Sequence, residues 1–236
     1  MNEFFNSPVF HLTLTLLVYV MSQKFYKNFK YIIFHPLLVS IVALIIYMKL
    51  TQTPFETYKN NTQMITFWLS PSVVALGLPL YLYLKTLKGN VIRVLLAIFF
   101  GSFVGIVSVV LIAKLLGASD EVIVSLSPKS ITTPVAMQIS KSMGGNEALT
   151  IAVVFITGFL GALFGWEFFK LLGIKNPLAI GIGTGAASHA VGTAEIVKKD
   201  EKFGAYGALG LALTAVTTAV LCPIIVPLLL KWLQGF

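Results

Sequence analysis

Charged residues fall so that seven stretches of 18 or more residues contain no Asp, Glu, Lys or Arg: 4 to 23, 31 to 48, 60 to 84, 94 to 113, 148 to 166, 176 to 194 and 203 to 230. A helix crosses a bilayer core in roughly 20 apolar residues, so each stretch predicts a span. Two shorter uncharged runs, 122 to 128 and 130 to 140, are separated only by Lys129, which predicts an eighth span with a charge near its middle. The expected fold is all-α, a polytopic transmembrane helix bundle of about seven to eight spans in one integral membrane domain. If 120 to 145 or 176 to 197 is re-entrant and does not cross, everything downstream changes side.

The spans differ in kind. Residues 5–50 read as two scaffold helices, rich in Leu, Ile, Val and Phe, with Tyr19, Tyr26, Tyr31 and Tyr47 near their ends. From residue 64 onward Pro and Gly enter the spans: Ser70-Pro71, Pro79, Pro128, Pro134, Gly181, Gly183, Gly185, Gly192, Pro223 and Pro227. Broken helices expose backbone groups that lipid cannot satisfy, so several of them predict a shared protein-lined or wet cavity. An internal repeat points the same way. Leu69-Ser70-Pro71 recurs as Leu126-Ser127-Pro128, Gly89-Asn90 as Gly145-Asn146, Gly105 as Gly161, and Lys114-Leu115-Leu116-Gly117 as Lys170-Leu171-Leu172-Gly173. Units at 64–117 and 121–173 are expected, followed by a Gly-rich broken segment and final helix at 176–234; paired breaks of this kind point to a transporter site. Gly101xxxGly105 and Gly161xxxGly165 predict close helix packing, with a homo-oligomer contact as a further use.

Composition agrees: 57% hydrophobic and 11% charged residues, with a mean hydropathy of +0.89, exclude a single soluble globular domain. The net charge of +8 comes from basic residues scattered over the inter-span loops, which fits membrane orientation and not nucleic acid. With eight spans and the N-terminus outside, ten basic residues (Lys24, Lys27, Lys30, Lys85, Lys88, Arg93, Lys141, Lys198, Lys199 and Lys202) face inward against six (Lys49, Lys59, Lys114, Lys170, Lys175 and Lys231) outward. The start lacks a basic n-region and cleavage site, so an uncleaved first span is expected. Cys222 reads as a small buried apolar residue, and His11 and His35 lack the neighbours a metal or relay site needs. No cofactor and no metal are expected.

Chemistry concentrates in two places. Residues 126 to 138 nest two N-cap signatures, Ser127 before Pro128 and Thr133 before Pro134. Helix N-termini carry free N–H groups and partial positive charge; Lys129 adds a full charge, and Ser130, Thr132 and Thr133 add hydroxyls. That set suits a small carboxylate near the midplane. A lysine at the centre of a spanning helix costs roughly 2.5–3.5 kcal/mol, so a partner such as Glu195, or a hydrated pathway, is expected; otherwise Lys129 snorkels to the interface. The second place is 185 to 195, where Gly185 and Gly192 open space around Ser188, His189, Thr193 and Glu195, and His189 or Glu195 is the candidate for a coupling proton. No G-x-S-x-G, H-E-x-x-H or paired catalytic carboxylate pattern is present, so an enzyme is not expected.

At these two segments the chain resembles the CidB/LrgB family of bacterial membrane proteins, closer to its CidB branch. Ser-Pro-Lys-Ser-Ile-Thr-Thr-Pro-Val-Ala at 127 to 136, Gly144-Gly145, and Gly-Thr-Gly-Ala-Ala-Ser-His-Ala-Val-Gly-Thr-Ala at 183 to 194 carry the likeness, with Pro-Leu-Tyr at 79 to 81. The resemblance implies a multi-pass protein of the bacterial cell membrane working with a smaller CidA/LrgA-type partner. The pair is described as a holin- and antiholin-like system controlling murein hydrolase export and autolysis. Related proteins, among them a plant plastid-envelope member, look like transporters of glycolate, glycerate or pyruvate. The family's motifs fall on Ser127, Pro128, Lys129, Ser130, Thr132, Thr133 and Pro134, and on Ser188, His189, Gly192 and Thr193; Glu195 and Ser70-Pro71 come from the physical reading alone. Transport of a small monocarboxylate is the function expected here. The alternative is a holin- or antiholin-like role through assembly with the smaller partner.

Overall fold

The computed structural model describes residues 7–29, 34–68, 71, 81, 87 and 89–234, so the expected breaks at Ser70 and Pro79 and most of the third uncharged stretch lie outside the described residues. Among the described residues the chain is all-α, a membrane helix bundle. Its helices are α1 (Pro8–Phe29), α2 (Pro36–Thr51), α3 (Phe55–Asn61), α4 (Gln63–Phe67), α5 (Val91–Leu115), α6 (Asp120–Leu126), α7 (Thr133–Ser142), α8 (Glu147–Leu171), α9 (Pro177–Val197) and α10 (Glu201–Gln234). They fall into two units, Met1–Ser72 and Val73–Phe236.

In the first unit α1 and α2 run antiparallel. Ser40 Oγ donates to Ser22 Oγ at 3.2 Å near one end, and Tyr47 OH lies 3.4 Å from His11 Nε2 at the other. His11 is fully buried and accepts at Nδ1 from Asn61 Nδ2 at 2.9 Å. Its ring packs edge-on against Tyr47 and Tyr58, so it ties α1 to α2 and α3 as a structural residue.

In the second unit α5, α8 and residues 201–233 of α10 are long and apolar enough to cross a membrane. Twenty-five residues of α-helix extend about 37 Å, against a hydrocarbon core of about 30 Å. Large apolar side chains such as Phe99, Phe103, Phe164, Leu228 and Trp232 are exposed, as a lipid-facing surface requires. The buried faces are narrow and small-residue-rich. On α5 they begin with Val94, Ile98 and Ser102, and on α8 they are Thr150, Val154 and Gly158, the same positions displaced by 56.

α5 and α10 run parallel. Val94 and Ile98 share one core cluster with Leu209 and Leu213, while Ile106, Val110 and Ala113 share another with Cys222, Val226 and Leu230. α8 is antiparallel to both, since Trp166 packs on Phe203 at the start of α10 and Val154 joins the cluster of its later half. Pro223 and Pro227, expected to break the last span, lie inside a continuous helix; neighbouring protein groups make proline tolerable in membrane helices.

The segments 120 to 142 and 176 to 197 do not cross; both fold back as re-entrant hairpins. In the first, Thr150 Oγ1 lies 3.0 Å from Ser125 O and 2.7 Å from Ser140 Oγ, and Asn146 N donates to Ser125 Oγ at 2.7 Å. One side chain thus touches the end of α6 and the far part of α7, which the turn at 127–132 must bring side by side. In the second, α9 reverses at Ser188 (φ −135°, ψ 19°) and His189 (φ 42°, ψ −144°). A straight helix would hold residues eight apart about 12 Å away; here a Cβ on Gly192 would lie 3.2 Å from the Thr184 methyl.

The two hairpins enter from opposite ends of the bundle. Each follows a 25-residue helix ended by the same turn: Gly117 and Gly173 take φ +78° and +67°, with Ala118 N donating to Ala113 O and Ile174 N to Phe169 O. These are Schellman ends, in which glycine relieves the left-handed conformation. A spanning helix plus hairpin at 91–142 therefore repeats, displaced by 56 and inverted in direction, at 147–197. Much of the first half of the expected unit 64–117 lies outside the described residues, and α5 and α8 are the parts of the expected units 64–117 and 121–173 that correspond here.

The Thr150 clamp should carry the first hairpin. Thr150→Val leaves Ser125 and Ser140 without that hydroxyl in a buried place, an expected loss of about 1–3 kcal/mol, read as a fall in the thermal unfolding midpoint of the purified protein in detergent.

Candidate functional site

Both hairpin tips lie at the depth of the middle of the spanning helices. Ser127, Lys129 and Ser130 of the first tip line a cavity of about 500 Å³ together with Gly101, Ser102 and Gly105 of α5, Gly183, Ala186 and Ala187 of α9, and Thr214 and Thr218 of α10. That is within the usual range for small-ligand pockets, about 300–1,000 Å³. Its wall combines one ammonium group and five hydroxyls with glycine, alanine and isoleucine. Ser102 Oγ and Thr214 Oγ1 are buried and have no hydrogen-bond partner among the described residues.

Lys129 is half-buried, and among the described residues its ammonium group donates only to Ser130 Oγ, at a long 3.4 Å. Among the described residues no carboxylate lies within ion-pair distance of it; the ion pairs are Lys59–Glu56, Lys114–Asp120, Lys141–Glu147, Lys170–Glu167 and Lys198–Glu195. The expected partner Glu195 is held by Lys198 at 2.5 Å, three residues away on its own helix, and faces a separate small recess beside Trp166 and Lys199.

The expected helix starts also shift. Ser127 is not an N-cap: its Oγ donates to Ile123 O at 2.7 Å, and it closes the C-terminal end of α6. Pro128 follows that end, because proline has no N–H with which to continue the helix. The carbonyl end of α6 therefore points toward Lys129, a favourable contact of about 0.3–1 kcal/mol, smaller than the cost of a lysine at that depth. The N-cap of α7 is Thr132, not Thr133, and Pro134 sits in the first turn. The Thr132 hydroxyl is buried, has no partner among the described residues and does not cap the α7 N-terminus. Neither Thr132 nor Thr133 lines the cavity.

The second tip turns away from the cavity and onto α8. His189 is 5% exposed and its Nε2 donates to Val154 O at 2.8 Å, which fixes the Nε2–H tautomer. Ser188 Oγ donates to Thr184 O and Thr193 Oγ1 to His189 O, each at 2.8 Å. Gly185 and Gly192 are not where the helix breaks. Gly185 lets the Gly207 backbone of α10 approach, and Gly192 leaves room for the Ser188 side chain. These glycines close space instead of opening it.

Of the residues expected to form one site, the structure brings together Ser127, Lys129 and Ser130, sets Ser188, His189 and Thr193 just behind the cavity wall, and places Glu195 elsewhere. Sequence reasoning missed Ser102, Thr214 and Thr218. Ser102 lies inside the Gly101xxxGly105 motif, which was expected to pack closely, yet a Cβ at either glycine meets nothing within 4 Å. Both line the cavity. Polar residues at 102, 214, 217 and 218 in otherwise apolar stretches are the signal that finds this wall.

Comparison with known proteins agrees with the two signature segments. The profile of the family described as LrgB-like matches residues 15–228. The chain is 34% identical over 212 residues to the uncharacterized protein YwbG of Bacillus subtilis, covering 90% of this chain and 94% of the relative. It is 31% identical over 226 residues to the holin-like protein CidB of Staphylococcus epidermidis, covering 96% and 98%. It is 32% identical over 222 residues to the antiholin-like protein LrgB of Bacillus mycoides, covering 94% and 96%. No solved structure matches the chain.

The helices α8 and α5 predict opposite responses at two of their glycines. Gly158→Ala pushes a methyl into the His189 imidazole and should cost about 1–3 kcal/mol. Gly105→Ala meets open space and should leave the unfolding midpoint unchanged or raise it, alanine being about 1 kcal/mol the better helix former.

Proposed function

The chain belongs to the LrgB-like family, and we propose that it transports a small monocarboxylate of the pyruvate, glycolate or glycerate kind. One observation carries the reading: a half-buried lysine with no carboxylate partner among the described residues, on a re-entrant tip at the depth of a helix centre, facing a cavity. Charge at that depth is costly unless a pathway or ligand uses it. Lys129 pairs with the substrate carboxylate, Ser130 donates to it, and the nearby α7 N-terminus adds partial positive charge. Glu195 has no part in this proposal, being paired with Lys198. No catalytic role is proposed.

The placement in a bacterial cell membrane is part of the same proposal. Because neither hairpin crosses, the connections group differently from an eight-span count. Arg93, Lys170, Lys175, Lys198, Lys199 and Lys202 stand at one end of the second unit and Lys114, Lys141 and Lys231 at the other. The positive-inside rule puts the first end in the cytoplasm. In a Cys222→Ala background, single cysteines at Ser119 and Met143 should both react with an impermeant thiol reagent applied to intact cells. Cysteines at Lys175 and Asp200 should not; the reverse pattern, or Ser119 and Met143 on opposite sides, contradicts the placement.

A second reading has its own support, since the relatives are named holin-like and antiholin-like. There the protein acts by assembling with a smaller CidA/LrgA-type membrane partner, or with copies of itself, to alter permeability and hydrolase release. A preorganised anion site is not needed for that role. Flux into proteoliposomes separates the two. Transport predicts saturable carboxylate uptake that falls on the order of 100-fold in Lys129→Ala, the loss of a buried ionic contact worth about 3 kcal/mol. Non-saturable leakage of dyes, indifferent to Lys129→Ala, supports the holin-like reading instead.

A further inference from the structure

α5 and α8 hold equivalent places in the inverted repeat, yet their hairpins meet them differently. On α8 the seat at Gly158 and Gly161 is filled, since a Cβ on the first overlaps His189 and on the second overlaps Ser188. The positions displaced by 56 on α5 are Ser102 and Gly105, and there the tip stands back. Among the described residues, a Cβ at Gly105 meets nothing within 4 Å, Ser102 Oγ has no partner, and the cavity occupies the gap. Glycine inside a helix costs about 1 kcal/mol relative to alanine, and no contact among the described residues requires it at Gly105.

The backbones differ in the same sense. His189, in the seated tip, has φ 42° and ψ −144°, a region that costs a non-glycine residue about 1–3 kcal/mol. In the other tip the residue displaced by 56, Thr133, has no positive φ, and Thr132 before it is extended at φ −61° and ψ 139°. One hairpin is seated and strained; the other is unseated and unstrained.

We infer that the protein has a second conformation in which the hairpins exchange these roles: the first tip seats on α5 at Ser102 and Gly105, and the second leaves Gly158 and Gly161. Ser188 and His189 then line the cavity and become substrate contacts for the other half of the cycle, in which the site opens to the opposite end of the bundle. This rests on the transport reading, and follows the rule that inverted repeats interchange around a fixed midplane site. Departure of the second tip releases the strain at His189 and breaks its bond to Val154 O. Gly105 is small because the first tip must fit there.

The test uses the full chain in proteoliposomes with Cys222, its only cysteine, replaced by alanine. Ser188→Cys is probed with a small water-soluble methanethiosulfonate, applied to the end from which the second hairpin enters so that residue 105 does not stand in its path. Ser188 is 2% exposed in this structure, yet Ser188→Cys should react, and adding Gly105→Leu should slow that reaction on the order of tenfold by filling the other seat. Equal rates with and without Gly105→Leu, or no reaction in either, overturn the exchange. If Ser188→Cys does not assemble, Thr193→Cys, buried behind the same tip, is read in the same way. Lys129-dependent carboxylate flux without this coupling leaves transport standing and removes the exchange. Coupling without flux does the reverse.

Discussion

The structure depends on one constraint: at membrane depth every backbone N–H and C=O must find its partner inside the protein. Helices that end at Leu126 and at Ser188 leave such groups at the centre of the bundle. The chain meets the constraint by folding each broken segment back into protein. Thr150 holds the first hairpin through Ser125 and Ser140, and Val154 O takes the His189 N–H in the second. The small residues follow from this. Gly158 and Gly161 admit a hairpin tip, and Gly181, Gly185, Gly207 and Gly210 bring the backbones of α9 and α10 together.

The same constraint explains where chemistry is possible. A polar side chain on a lipid-facing helix has little to do, but one on a re-entrant tip is carried to the midplane on backbone that is already surrounded by protein. Lys129 reaches that depth with the carbonyl end of α6 on one side and the N-terminus of α7 on the other. The carbonyl end of α6 moderates its charge without neutralising it, and the α7 N-terminus adds to it. What is left over is a lysine-bearing cavity with room for a small molecule. Inversion of the repeat then supplies a second tip from the other end of the bundle, so the site lies between two elements that each connect it to a different face.

Much of this was legible in the sequence because its signals are local. The uncharged stretches marked the helices, the lone Lys129 marked the break, and the recurrence of Lys-Leu-Leu-Gly and of Gly105 at Gly161 gave the displacement of 56 on which the repeat is built. Direction was not legible. Apolar length says that a segment can sit in a membrane, not whether it crosses or returns, and the return at 120–142 depends on a hydroxyl 10 residues beyond Ser140. The caps were misplaced because Ser127 bonds back to Ile123, a choice its Ser-Pro context does not reveal. Glu195 was matched to Lys129 as the nearest unassigned acid in the polar segment, when Lys198 one turn away satisfies it. Ser102 and Thr214 belong to the cavity only through the packing of α5 and α10, which no spacing along one helix encodes.

The account turns on Lys129 as the receptor for a carboxylate, and the most direct test is equilibrium binding to the purified protein by titration calorimetry. Wild type is compared with Lys129→Met, which keeps length and loses charge, using pyruvate or glycolate and, as controls, pyruvamide and ethylene glycol. The account predicts binding of the carboxylates alone, and its loss in Lys129→Met with the fold intact. Carboxylate binding that survives Lys129→Met, or uncharged analogues that bind as well as the acids, would contradict it.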